Sequence, residues 1–423
     1  MPSADSDARR SLSAVGDSIM ADMSTTRWAG VSFIGLTLAA CAQSTAPSAS
    51  EPSATAVMRS PRLTASAAPA ASATVIPSSG APEAGFDWMQ ASSATSSATV
   101  LDMAYGDDGF IAIGTDRDES RSGNPLFGRT WISGDGTNWE LLPADSIFDR
   151  AYLTDVVATP DGAYVVIGRI EDASGSRDEV RLAMWESSDG RRWERLDAGP
   201  LSGLQSAQVA AGAKGYLLHA VSAAAVHQLW HSLDGRNWET VRELPPITVT
   251  RYEDIQRIAA GDDGFVAVGL REATRYVIAS ADGREWFEGS SNPDFSLLFA
   301  AVGGDWVMAG YLTEPGVLPM LFSTNGLDWE RTAGVDIPSS EVIGANGLVT
   351  TGRTVFIGLA APGAHPGMVP AGVWSSHDGI TWTEVAIAAD VYLPAAATSG
   401  VAQVLAGNLS GGGAVFFVRS EGE

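Results

Sequence analysis

A seven-residue pattern, Ser-x-Asp-Gly-x-x-Trp, is written six times along this chain and restricts the fold more narrowly than any other feature. The copies are Ser133/Asp135/Gly136/Trp139, Ser187/Asp189/Gly190/Trp193, Ser232/Asp234/Gly235/Trp238, Ser280/Asp282/Gly283/Trp286, Ser323/Asn325/Gly326/Trp329 and Ser376/Asp378/Gly379/Trp382. The polar start of each copy has the composition of a tight turn, and the tryptophan opens the next strand. Successive tryptophans lie 54, 45, 48, 43 and 53 residues apart. That period fits one four-stranded propeller blade per repeat.

A second signature precedes each motif: an apolar strand pair around a glycine-containing turn. It is clearest at residues 106–114, 160–168 and 261–269. For the first blade the two signatures predict strands near 99–105, 110–114, 129–133 and 138–142. The third strand carries a bulky residue just before the motif serine, as at Trp131, Trp185, Trp230, Phe322 and Trp374, so position in the repeat accounts for ten of the thirteen tryptophans. Six motifs leave a ring one blade short. The C-terminus supplies apolar strands at 401–407 and 413–419 and a half-motif at Ser420-Glu421-Gly422, while Phe86-Asp87-Trp88-Met89-Gln90 matches the outer-strand pattern of Asn138-Trp139-Glu140. The expectation is an all-β, seven-bladed propeller over 85–423. Its last blade takes three strands from the C-terminus and the fourth from residues near 88, covering two open edges.

The repeat resembles the Asp-box, or BNR repeat, of sialidases, sortilin-type receptors and bacterial surface propellers, although it is one residue shorter than the commonest spelling. The resemblance implies structural aspartates at 135, 189, 234, 282 and 378, with Asn325 in the fifth copy, each accepting backbone N–H bonds across the turn. It also implies tryptophans at 139, 193, 238, 286, 329 and 382 packed between strands. Sialidase chemistry requires three arginines around the substrate carboxylate, a tyrosine nucleophile assisted by a glutamate, and an aspartic acid. The Arg-Ile-Pro signature usual near the first blade of sialidases is absent, and no arginine triad can be assigned by motif.

In a propeller the motif turns and the first-to-second-strand turns share one face, leaving the opposite loops for binding. The most reactive composition there is Arg251-Tyr252-Glu253-Asp254, with Arg150 and Tyr152 in a comparable connection; its plain reading is a charge-paired loop. His227 and His231 fall on one strand face, but no third ligand is spaced with them. Asp116, Asp118 and Glu119 form an acidic loop without the Asp-x-Asp-x-Asp-Gly ladder of a Ca²⁺ site. No nucleophile elbow, phosphate loop or His-Glu-x-x-His pattern occurs. No cofactor is expected.

The remaining chain reads as an address. Residues 28–40 are an uncharged apolar run after Arg27, too short to span a bilayer comfortably, and end at Leu38-Ala39-Ala40-Cys41. This has the form of a secretory signal closing on a bacterial lipobox, with Cys41, the sole cysteine, diacylated as the first mature residue. Four aspartates precede the signal, so Met20 or Met23 gives a more typical start. Residues 41–84 are rich in Ala, Ser, Thr and Pro and predict a disordered tether. With 26 Lys+Arg against 50 Asp+Glu the chain carries a net charge of -24, which repels phosphate backbones and argues against nucleic acid. The expectation is a monomeric, extracytoplasmic lipoprotein held on the cell membrane, its propeller a non-enzymatic module for an envelope glycan or protein. The alternative is a sialidase-like glycoside hydrolase.

Overall fold

The computed structural model describes residues 88–91, 97–117, 126–170, 180–197, 199–244, 253–272, 274–289, 295–310, 316–336, 344–362, 368–387, 391–409 and 412–420. The signal, Cys41 and the tether lie outside them. The chain divides into two units, Met1–Ser79 and Gly80–Glu423, and the second holds every described residue.

Seven four-stranded antiparallel sheets make up this unit. Blade 1 consists of Thr99–Gly106, Gly109–Arg117, Leu126–Ser133 and Glu140–Leu141, close to the predicted strands. Blades 2 to 6 repeat the order over 151–196, 204–243, 253–288, 295–331 and 344–385. Blade 5 adds a two-stranded flap, Val317–Leu318 with Val335–Asp336. The first strands neighbour one another in cyclic order, and that of blade 7 returns to that of blade 1, so the fold is a closed seven-bladed propeller.

Closure follows the predicted route. Blade 7 is built from Val391–Thr398, Ala402–Leu409, Ala414–Ser420 and the N-terminal Met89–Gln90, which pairs with Val418 and Phe417. Trp88 sits edge-on to Phe356 of blade 6 at 5.6 Å between centroids, filling the place of a motif tryptophan. The register corrects one detail of the half-motif. Gln403 pairs with Arg419 as Phe110 pairs with Ser133, so Arg419, and not Ser420, takes the motif-serine position. Its guanidinium lies 5.0 Å over the Trp88 ring and bonds the Gln403 side chain.

The energetics sit between blades. Seven apolar clusters each join two adjacent blades, because strand alternation sends one face of each sheet to the blade before and the other to the blade after. Blade 7 meets blade 1, for example, through Trp139 stacked on Phe416 at 3.9 Å.

The motif turn is a compact hydrogen-bonded unit. In all six copies the Asp or Asn Oδ1 accepts the N–H groups two and three residues on, at 2.7–2.9 Å. The serine Oγ accepts the glycine N–H in five copies. The glycines have φ between 67 and 78°, left-handed backbone that favours a residue without Cβ. Asn325 makes the same two bonds as the aspartates, so the unit needs an acceptor oxygen and not a charge. The N–H group of Asn138 foremost holds the Asp135 carboxyl down to about 2. An arginine two residues after the motif aspartate clamps the preceding blade in three cases: Arg191 to Glu140, Arg236 to Glu186 and Asp161, and Arg284 to Glu239. Asp161 belongs to a first-to-second-strand turn, which places both turn types on one face.

Two measurements check this account. Trp139→Ala empties a buried interblade site and should cost about 3–5 kcal/mol in denaturant unfolding, whereas Arg191→Ala, on an exposed ion pair, should cost less than about 1. Deleting residues 85–90 removes Trp88 and the pairing at Val418 and should lower the melting temperature sharply; an unchanged melt would refute the closure.

Candidate functional site

The polar groups of this ring converge on its centre. Each first strand shifts register partway along, as between Val100 and Asp102 or Leu153 and Asp155, and backbone N–H groups there face the next blade. Asp102, Asp155, Gln208 and Arg257 occupy the same register position in blades 1 to 4, opposite Ile113, Ile167, His219 and Val268. Gly347 and Ala395 hold it in blades 6 and 7. One side of the centre is therefore charged and the other small.

The charged side is tied together blade to blade. Asp102 Oδ2 accepts the Val156 N–H at 2.8 Å, Asp155 Oδ1 accepts that of Val209 at 3.4 Å, and Gln208 Nε2 donates to the Gln256 carbonyl at 3.3 Å. Burial, then the charge of Asp155, pushes the Asp102 carboxyl up to about 8. Burial pushes Asp155 up to about 6 against the opposing pull of the Thr154 hydroxyl, the Val209 N–H and Arg257. The same burial lowers Arg257.

His219 and His227 close the site between blades 3 and 4. His227 Nδ1 accepts the Ile255 N–H at 3.2 Å and lies 3.0 Å from His219 Nε2, so His219 is the donor and both rings are neutral. Burial lowers both, His219 to about 3. The expected neighbour of His227, His231, instead has Nε2 against the Lys214 carbonyl at 3.1 Å.

The residues singled out on the loop face are placed as follows. Arg251 and Tyr252 lie outside the described residues, as do Asp118 and Glu119. Glu253 and Asp254 are not in an exposed connection: both are 5% exposed and open the first strand of blade 4. Arg271 binds Glu253 and Glu288, each at 2.8 Å, and these carboxylates, Glu288 first, raise its guanidinium. Arg271 also lies 4.5 Å over the Tyr276 ring, whose hydroxyl donates to the Asp254 carbonyl. The Asp254 carboxylate accepts the Leu270 N–H and the Gln256 amide. Arg150 stands at a left-handed φ of 57° beside blade 2, and Tyr152 lies under Arg169, 4.6 Å from its ring. Arg150 and Tyr152 therefore flank blade 2, while the Glu253–Asp254 cluster belongs to blade 4. Sequence reading missed Asp102, Asp155, Gln208, Arg257 and His219, since turns of unequal length hide their common register. Among the described residues no group of three His, Cys, Asp or Glu side chains could hold a metal ion, and no helix is long and apolar enough to cross a membrane.

The architecture defines the chain as a seven-bladed β-propeller. Among solved structures it is similar to YCF48 bound to D1 peptide, at 16% identity and a TM-score of 0.50 over 83% of this chain and 100% of that one. It is also similar to the β-propeller domain of the Trilobed protease from Pyrococcus furiosus, at 11% identity and 0.47 over 78% and 95%. The Hadza microbial sialidase Hz136 aligns at 12% and 0.41 over 62% and 63%. At such identities the likeness is one of fold. No family model and no curated protein matches the chain.

The central groups predict opposing pH effects. Asp102 and Asp155 bind protons more tightly folded than unfolded, so their stabilisation is full below about 4 and is lost as pH rises through about 6 and about 8. Asp102→Asn keeps an acceptor for Val156 and should melt higher than the parent at pH 8.5, with the gap closing by pH 4.5. His219 works the other way: its contribution is full above about 6.5 and is lost as pH falls toward about 3. His219→Phe should flatten the acid limb of the melting curve.

Proposed function

We propose that this chain is an exported, lipid-anchored lipoprotein whose propeller is a non-enzymatic binding module for an envelope glycan or protein. The six turn motifs, with Asn325 able to replace an aspartate, are of the Asp-box kind in this reading. The observation that carries it is the state of the ionisable groups. Glu253, Arg271 and Glu288 neutralise one another, the Tyr276 hydroxyl is spent on a backbone carbonyl, and Asp102 and Asp155 bond the backbone of the next blade. Groups committed in this way brace a scaffold and hold surrounding loops in place. The similar YCF48 structure is of a complex with a peptide, which supports a peptide segment as one kind of partner. Export rests on the run ending at Leu38-Ala39-Ala40-Cys41. Two or three acyl chains on Cys41, at about 0.8 kcal/mol per buried CH₂, suffice for stable anchoring.

A second reading, a sialidase-like glycoside hydrolase, has one observation in its favour: two carboxyls near the ring centre whose proton affinities are set apart, as an acid and its partner require. Turnover of a fluorogenic sialoside or neutral glycoside, abolished in Asp102→Asn, would establish it. Absence of turnover leaves the binding module.

Anchoring has a direct test. The parent chain should partition with membranes and carry a diacylglyceryl mass on Cys41, and Cys41→Ala should be recovered free of them. A Cys41→Ala chain that stays membrane-bound overturns the anchor.

A further inference from the structure

The motif turn of blade 3 differs from its five counterparts in what surrounds it. A groove of about 550 Å³ runs along it, within the size range of small-ligand sites, lined by Pro200, His231, Leu233, Trp238, Glu239 and Arg284 among others. It lies on the motif-turn face, opposite the loop face treated above.

Two buried polar atoms in its lining lack partners. His231 is 1% exposed, wedged beneath Gly283, where an added Cβ would meet the ring at 2.3 Å, and edge-on to Phe265 at 5.7 Å between centroids. Its Nε2 faces the Lys214 carbonyl at 3.1 Å and must carry the hydrogen, so Nδ1 presents a lone pair, and that atom makes no hydrogen bond. The nearest charged oxygen, Glu239 Oε1 on the paired strand, stands 3.7 Å away. Two acceptors face each other with a gap a donor would fill.

The second atom is Trp238 Nε1, a buried donor without an acceptor. The matching indoles of Trp139, Trp286 and Trp329 close their own turns by donating to the motif glycine carbonyl at 2.8, 3.2 and 3.1 Å. Trp193 and Trp382 also lack acceptors, but neither has an unmatched imidazole at the residue before its motif serine, where Glu186 and Ser375 stand. Leu233, 64% exposed, adds an apolar surface.

We propose that this groove binds a neutral saccharide. A hydroxyl is the group that can both donate and accept, so one sugar hydroxyl donates into the gap between His231 Nδ1 and Glu239 while another accepts from Trp238 Nε1. Leu233 and Pro200 take the C–H face of the ring. Arg284, bonded to Glu239 at 2.8 Å, holds the carboxylate in place. Glu239 and the motif carboxylate of Asp234 select against acidic sugars.

The test uses the full chain in detergent, titrated with maltose, cellobiose, di-N-acetylchitobiose and N-acetyllactosamine, and read by tryptophan fluorescence and saturation-transfer NMR. At least one disaccharide should bind. Trp238→Phe keeps the ring and loses the donor, and should weaken that binding about tenfold, the equivalent of about 1.4 kcal/mol. Glu239→Gln, on a side chain 53% exposed and therefore safe for folding, should do the same. Glucuronate should bind more weakly than glucose. The proposal is overturned if no disaccharide binds, if both variants bind as the parent does, or if glucuronate matches glucose. None of these outcomes bears on the loop face, so the broader binding-module reading stands or falls separately.

Discussion

A blade of this protein has no core of its own. Its sheet is apolar on both faces, and each face is buried only by the sheet beside it, so every cluster depends on the next and the ring has to close. An open ring would expose the inner faces of blades 1 and 7, with Phe416 and Trp139 among the side chains returned to water. Motif spacing, turn chemistry and strand order are all consequences of delivering seven equivalent wedges that meet this condition.

The seam is where the repeat has to be broken, and there the protein departs from its own pattern. Six turns are pinned by serine, aspartate and glycine within one continuous segment. In the seventh the segment is split between the two ends of the described chain, and a serine hydroxyl cannot reach across. Arg419 stands in the serine position, its guanidinium over Trp88 and bonded to Gln403, whose amide donates to the Thr354 hydroxyl of blade 6 at 3.1 Å. A long cationic side chain over an indole face, together with its amide and hydroxyl partners, does the work of the missing turn.

The ring is also unequal around its circumference. Blades 1 to 4 carry Asp102, Asp155, Gln208 and Arg257 at the centre, and arginine clamps join them at the motif face. At the clamp position blades 5 and 6 have Leu327 and Ile380, and at the centre blades 6 and 7 have Gly347 and Ala395. Ligand chemistry, on this arrangement, is concentrated in the first half of the ring.

How much of this could be read beforehand follows the range of the interactions. The turn motif is local: its acceptor, its glycine and its tryptophan lie within seven residues, so the blade count, the strand positions and even the closing strand at Trp88 were legible from spacing. Glu253 and Asp254 looked like an exposed charged loop because one stretch of sequence cannot register that Arg271, eighteen residues on, folds back to bury them. The likeness of Asp102, Asp155 and Arg257 was invisible for a related reason: turns of different length put them out of step along the chain, and only cross-strand pairing aligns them. By itself the sequence determined the architecture and, in its signal, the expected address. Only the tertiary structure decided which charges meet across blades, since burial and pairing between residues some fifty positions apart are properties of the closed ring.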